Sequence, residues 1–184
     1  MRVATLESMT KTMRTTRAFL VLLMILATSS FGFGQAANAS SKWVTTPVTA
    51  TGPTGQRLTV WQGNLVTAET YVTVTGKGYS KQHGIYVTYC VIPPKGAKPE
   101  LCGPFDITGK NNASVWVSSN PPLYAAWMVH GFGDGGTFKE HIKVTAKIGD
   151  YDCRVVRCAI TTRADHTQSD YRKADVFVPV KIRN

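Results

Sequence analysis

Asp165 and His166 stand side by side in the polar run Arg163-Ala-Asp-His-Thr167, the nearest approach in this sequence to an acid–base pair. An aspartate that orients an imidazole would make a general base. Neighbouring side chains on an extended chain point to opposite sides, however, so the two groups should not meet directly. The run reads instead as a loop knitted by an Asx-turn and by arginine–aspartate contacts, with Arg172 and Asp175 as further partners. The other histidines are scattered. His83 lies in the turn Lys81-Gln-His-Gly84, His141 alternates with lysines, and His130 precedes a glycine-rich stretch with no second ligand at metal-binding spacing. No serine sits in a G-x-S-x-G turn. The chain therefore reads as non-catalytic, without metal or cofactor.

The cysteines carry more information. All four fall late, at Cys90, Cys102, Cys153 and Cys158, and an even count in an exported chain reads as two disulfides. Three connectivities exist. The local pairs Cys90–Cys102 and Cys153–Cys158 are favoured. The run Pro93-Pro-Lys-Gly-Ala-Lys-Pro99 must turn and bring the first two together, and Arg154-Val-Val-Arg157 can loop between the second two. Zinc would call for C-x-x-C spacing or paired histidines, which this sequence lacks.

Export is itself read from residues 1–39. Arg2, Lys11, Arg14 and Arg17 precede the apolar run Ala18–Ala27, and small residues end in Ala37-Asn-Ala39. This is the order of a secretory signal peptide cleaved near Ala39. The apolar run is about half the length of a membrane span, so no stable span is expected after cleavage; the competing reading is an uncleaved anchor. The whole chain has 184 residues and a net charge of +10. Without the leader's four basic residues and one acidic residue, 17 Lys+Arg and 10 Asp+Glu remain, a net of +7. Lys139, His141, Lys143 and Lys147 form an alternating basic stripe, read either as a solvated strand face or as a contact for an anionic cell-wall polymer. Nucleic acid is not expected as a partner, because export argues against it and no reading motif is present.

The elements that must position these residues are strands. Residues 40–57 are polar with Pro47 and Pro53 and read as an extension or loose edge strand. Residues 58–184 form the main domain. Strands are expected at Leu58–Trp61, Thr70–Thr75, Gly84–Cys90, Ala113–Val117, Phe138–Ile148, Cys158–Thr162 and Asp175–Ile182, with glycine and proline between them. In Phe138–Ile148, Phe138, Ile142, Val144, Ala146 and Ile148 point inward. In the last strand Val176, Val178, Val180 and Ile182 do so, and Pro179 suits an edge or bulge. About seven strands with turns every 8–12 residues imply an all-β, antiparallel Greek-key sandwich of immunoglobulin type. Residues 103–136 form an elaborated loop region. Its aromatics, among them Trp116, Trp127 and Phe132, are either a satellite core or the lining of a cleft.

The runs Val72-Thr-Val-Thr-Gly-Lys-Gly-Tyr79 and Gly84-Ile-Tyr-Val-Thr-Tyr-Cys90, together with Asp152-Cys-Arg-Val-Val-Arg-Cys-Ala159 and Asp175-Val-Phe-Val-Pro-Val180, resemble the neocarzinostatin family of actinobacterial secreted apoproteins. The resemblance covers residues from about 58 to 182 and extends to envelope proteins that share this domain. It implies a seven-stranded immunoglobulin-like sandwich with one disulfide closing a hairpin and another across a C-x4-C loop. It also implies a cleft beside the hairpin disulfide, which in the family holds an enediyne chromophore. The matching positions are Ile92, Leu101 and Phe105, with Cys90–Cys102 as floor and Phe132 on an aromatic loop. Ile92 stands where the family has an aromatic. The candidate ligand set is thus Ile92, Leu101, Phe105, Trp116, Trp127 and Phe132. The expected function is non-catalytic binding of a small apolar or aromatic ligand, outside the cell or at its envelope. The alternative is a structural or adhesive envelope protein that contacts an anionic cell-wall polymer or a protein partner.

Overall fold

The computed structural model describes residues 46–63, 65–105 and 112–183. The expected signal peptide, residues 40–45 of the extension and residues 106–111 of the elaborated loop lie outside that range. Among the described residues no helix is long and apolar enough to cross a membrane.

Among the described residues eleven strands follow in chain order: β1 (Val48–Thr51), β2 (Arg57–Val60), β3 (Leu65–Thr67), β4 (Thr70–Lys77), β5 (Ile85–Val91), β6 (Ser114–Val117), β7 (Phe138–Val144), β8 (Lys147–Ile148), β9 (Tyr151–Asp152), β10 (Cys158–Ala164) and β11 (Val176–Arg183). They make a four-stranded sheet in the order β1-β2-β4-β7 and a five-stranded sheet in the order β3-β11-β10-β5-β6, with β8 and β9 as a separate small hairpin. The chain passes back and forth between the sheets, as the Greek-key expectation requires. Pairing is antiparallel except for β3, which runs parallel to β11. Each expected strand has a counterpart, and β1 lies at one edge of the four-stranded sheet.

Alternation explains the sandwich. Leu58, Val60, Val72, Val74, Ile142 and Val144 project from one sheet. They meet Ile85, Val87, Val115, Val117, Ile160, Val176, Val178 and Val180 from the other, all buried in one core. β5 is apolar on both faces because it lies between β10 and β6. Pro179 of β11 is paired with Ala159 on one side only. β3 covers just Lys181–Arg183, so the strand is still an edge where the missing N–H falls.

Two details depart from the sequence reading. The strand expected over 138–148 ends at Val144. Thr145 Oγ1 donates to the Lys147 carbonyl at 2.6 Å, and the Cys153 N–H bonds the Ala146 carbonyl at 2.8 Å. These bonds turn the chain toward the small disulfide loop. The inward set of β7 also includes Glu140, which is 6 % exposed. Its carboxylate lies 2.8 Å from His130 Nδ1. His130 bridges Val117 of β6, and β6 and β7 are the facing edge strands, so this pair closes the open side of the sandwich. The His130 partner that sequence spacing did not supply is therefore brought by the fold.

Tyr79 seals one end of the core. Its ring packs against Phe138 at 5.1 Å and Phe132 at 6.5 Å between centroids. Thr162 Oγ1 donates to the Ala174 carbonyl at 2.8 Å, so the Tyr79 hydroxyl donates to Thr162 Oγ1 at 3.1 Å. Tyr89 is equally buried, but its hydroxyl finds no partner, and burial pushes both phenols far above the usual tyrosine range.

Two predictions follow from these buried polar groups. Tyr89→Phe should stabilise the protein by about 1 kcal/mol and Tyr79→Phe should destabilise it by a similar amount, because only the first hydroxyl is buried unpaired; urea midpoints measure both. Burial, partly offset by His130, raises the Glu140 carboxyl above its ordinary value of 4.5. The native state then holds this proton more tightly than the unfolded chain, so the contribution is favourable below the ordinary value and is lost as pH rises through the raised one. Between pH 4 and 7 the urea midpoint of wild type should fall more than that of Glu140→Gln.

Candidate functional site

The pleat that buries Ile85, Val87 and Tyr89 turns Tyr86, Thr88, Cys90 and Ile92 to the outer face of the five-stranded sheet. Register lines up Trp116, Tyr86 and Arg163 across β6, β5 and β10. The next row is Ser114, Thr88, Thr161 and Phe177, and the one after it runs from Cys90 to Ala159 and Pro179. Thr88, Thr161 and Ala159 are fully buried although they face away from the core. They form the floor of this face.

Asp165 organises its upper end. It follows β10 and is 2 % exposed. One carboxylate oxygen accepts the Trp116 indole N–H at 2.8 Å. The other accepts the Thr167 N–H at 2.9 Å and the Thr167 hydroxyl at 2.6 Å, which is the expected Asx-turn. Asp165 N–H bonds the Gly84 carbonyl at 2.9 Å, and a Cβ at Gly84 would stand 1.9 Å from the carboxylate. Only glycine leaves room for this acid.

His166 points the other way, as expected for adjacent residues. Its Nδ1 lies 2.6 Å from the Tyr86 hydroxyl and its Nε2 lies 3.3 Å from the Tyr124 hydroxyl. Burial, then the Asp165 charge, raises the Tyr86 phenol above its ordinary value. The phenol therefore keeps its proton and stays a neutral partner of Nδ1. The imidazole also packs edge-on against Trp116 at 4.8 Å. Phe105 sits edge-on to Tyr86 at 6.0 Å, and the Arg163 guanidinium lies 5.3 Å from the centre of the same ring.

The predicted ligand residues separate into groups. Trp116 and Phe105 converge on Tyr86. Trp127 joins them through its indole N–H, which bonds the Tyr124 carbonyl at 3.0 Å. The short 3-10 turn Leu123–Ala125 holds Leu123 and Tyr124 outward, and with Trp127 they are among the most exposed apolar side chains of the described residues. Leu101, half exposed, lies beside the Cys90–Cys102 bridge, where its carbonyl accepts Val91 N–H at 2.8 Å. Ile92 lines a separate groove of about 350 Å³ with Pro93, Pro94, Phe177 and Pro53. It is six residues along β5 from Tyr86, roughly 20 Å away. Phe132 is in the core against Tyr79 and Phe138, whereas Trp127 is largely exposed.

Tyr86, Tyr124 and His166 are absent from the predicted ligand set. Tyr86 was legible: on a strand apolar on both faces, a tyrosine on the outer row needs a partner for its hydroxyl. Tyr124 and His166 meet it only through loop geometry. The cluster offers ring faces, phenolic hydroxyls and one imidazole. Both ring nitrogens and both Asp165 oxygens are engaged within the protein. Among the described residues no group of three or more His, Cys, Asp or Glu side chains is placed to hold a metal.

No protein-family profile and no curated protein sequence matches this chain. A comparison with solved structures finds macromomycin, at 15 % identity and a TM-score of 0.40, over 74 % of this chain and 99 % of that one.

The Gly84–Asp165 contact makes a double-mutant test. Gly84→Ala alone should cost about 2–3 kcal/mol, because it drives the carboxylate off Trp116. Asp165→Ala should cost a similar amount by leaving the indole N–H unpaired. The double variant should be little less stable than Asp165→Ala, since the added methyl then meets the Ser118 hydroxyl at 3.1 Å instead of the carboxylate. Thermal or urea unfolding of the four proteins reads the coupling.

Proposed function

We propose that this chain is a non-catalytic, exported binding protein. Its ligand is a small planar aromatic molecule carrying a hydrogen-bonding group, held on the outer face of the five-stranded sheet. The observation that carries this reading is the convergence of Tyr86, Trp116, Phe105 and His166 under a turn that presents Leu123, Tyr124 and Trp127 to solvent. Exposed aromatic clusters of this kind are costly to leave in water and mark sites that bind. Rings rigidified by the Asp165–Trp116 and Tyr86–His166 bonds lose little further freedom on binding. The two disulfides, Cys90–Cys102 and Cys153–Cys158, support an oxidising compartment, outside the cell or at its envelope.

The probe that tests this is 2-naphthol, with cyclohexanol as a non-aromatic control. Naphthol should quench tryptophan fluorescence and shift the Trp116 indole and His166 ring resonances, and cyclohexanol should do neither. Tyr124→Ala and Trp127→Ala, both at exposed positions, should weaken naphthol binding at least tenfold without lowering the unfolding temperature. Absence of any shift at millimolar naphthol sinks the reading.

A further inference from the structure

The opposite surface of the molecule has a composition that neither the core nor the aromatic cluster explains. The outer face of β1-β2-β4-β7 consists of Thr49, Thr51, Arg57, Thr59, Thr73, Thr75, Tyr71, Lys77, Lys139, His141 and Lys143, with Trp61 just beyond β2. All are exposed or half-buried. Among the described residues no acidic side chain stands on the face; Glu140 points to the core, and Glu69, in the turn before β4, lies 3.1 Å from Lys143. The basic residues extend the stripe expected on β7 across the sheet.

Protection of a sheet edge does not account for this. β7 is an edge strand, so Lys139 and Lys143 could serve as guards against pairing. Arg57 and Lys77 lie on β2 and β4, which are paired on both sides. Two aromatic rings also stand on the face, Trp61 at 50 % exposure and Tyr71 at 45 %. The Trp61 indole N–H donates to Thr75 Oγ1 at 2.9 Å, which lays the ring along the sheet rather than out into solvent. Around it, Gln62 Oε1 accepts Thr73 N–H at 2.6 Å, and Thr49 and Thr59 share a hydroxyl contact at 2.7 Å. The result is a flat, pre-ordered surface, roughly 20 Å along β4 and about 14 Å across the four strands.

We infer that this face binds an anionic polysaccharide, a chain of sugar rings bearing carboxylates or phosphates. The apolar faces of sugar rings suit the half-open rings of Trp61 and Tyr71. The threonine hydroxyls, each a donor and an acceptor, match sugar hydroxyls. Arg57, Lys77 and Lys139 are complementary to the acidic groups, whose attraction adds to both affinity and encounter rate. A duplex nucleic acid satisfies the charges but buries its apolar ring faces in its own stack, leaving the two aromatics without a role. The site is on the other sheet from the aromatic-ligand cluster and does not depend on it.

The test is affinity electrophoresis of the disulfide-bonded protein in gels containing polygalacturonate, neutral dextran or duplex DNA, across a salt series. Polygalacturonate should retard wild type more than dextran or DNA does. Trp61→Ala and Tyr71→Ala should each weaken that retardation at least fivefold, at unchanged unfolding temperature. Arg57→Gln with Lys139→Gln should weaken it and flatten its salt dependence. Equal retardation by DNA, no retardation by polygalacturonate, or loss through the charge variants alone with both aromatic variants at wild-type affinity would each overturn the proposal. Naphthol binding measured on the same variants should be unchanged, which separates failure of this site from failure of the other.

Discussion

A buried carboxylate without an ion-pair partner among the described residues is the constraint on which the aromatic face depends. Asp165 is removed from water, so each of its oxygens must find a donor inside the protein. The donors are neutral: the Trp116 indole, and the Thr167 amide and hydroxyl. Meeting that demand ties edge strand β6 to the loop after β10. It also requires glycine at position 84 and turns His166 toward Tyr86 and Tyr124. A chain of local necessities thus ends in a cluster of rings held still.

The two outer faces differ because the two sheets are covered differently. On the five-stranded sheet the hairpin closed by Cys90–Cys102 and the 3-10 turn at Leu123–Ala125 approach the face, and even its threonines are buried. On the four-stranded sheet the β1–β2 hairpin is tight, closing through Gly52 and Gly55, and the threonines remain partly open. One face carries packed rings over a buried floor, the other a row of half-open polar side chains. The same alternation in the strands serves both, since every second residue must leave the core.

Much of this was legible from residue order. Strand alternation placed the seven principal strands and their inward residues, because burying one side of a pleated strand imposes period two. The proline-rich turn and the C-x4-C loop pointed to the disulfide pairs. Where the reading fell short, the reason was a contact between segments distant in sequence. Glu140 was left out of the inward set of β7 because a carboxylate belongs in a core only when something meets it. Its partner, His130, lies ten residues away at the end of a loop. Phe132 and Trp127, five residues apart in one loop, part company, one into the core and one into solvent, and their spacing carries no sign of it. Residues 106–111 of that loop are outside the described residues.

The sequence by itself determined the all-β class, the strand positions, the local disulfide pairs and the separation of Asp165 from His166. These follow from periodicity, turn chemistry and short loop closure, which act within a few residues. Only the tertiary structure decided which side chains share a surface. Register across β6, β5 and β10 put Trp116 beside Tyr86 and Arg163. Register across β1, β2, β4 and β7 spread the lysine stripe into a face with Trp61 and Tyr71. Side-chain alternation tells which residues leave the core, but their neighbours are set by pairing between strands far apart in sequence, as with Tyr86 and Arg163.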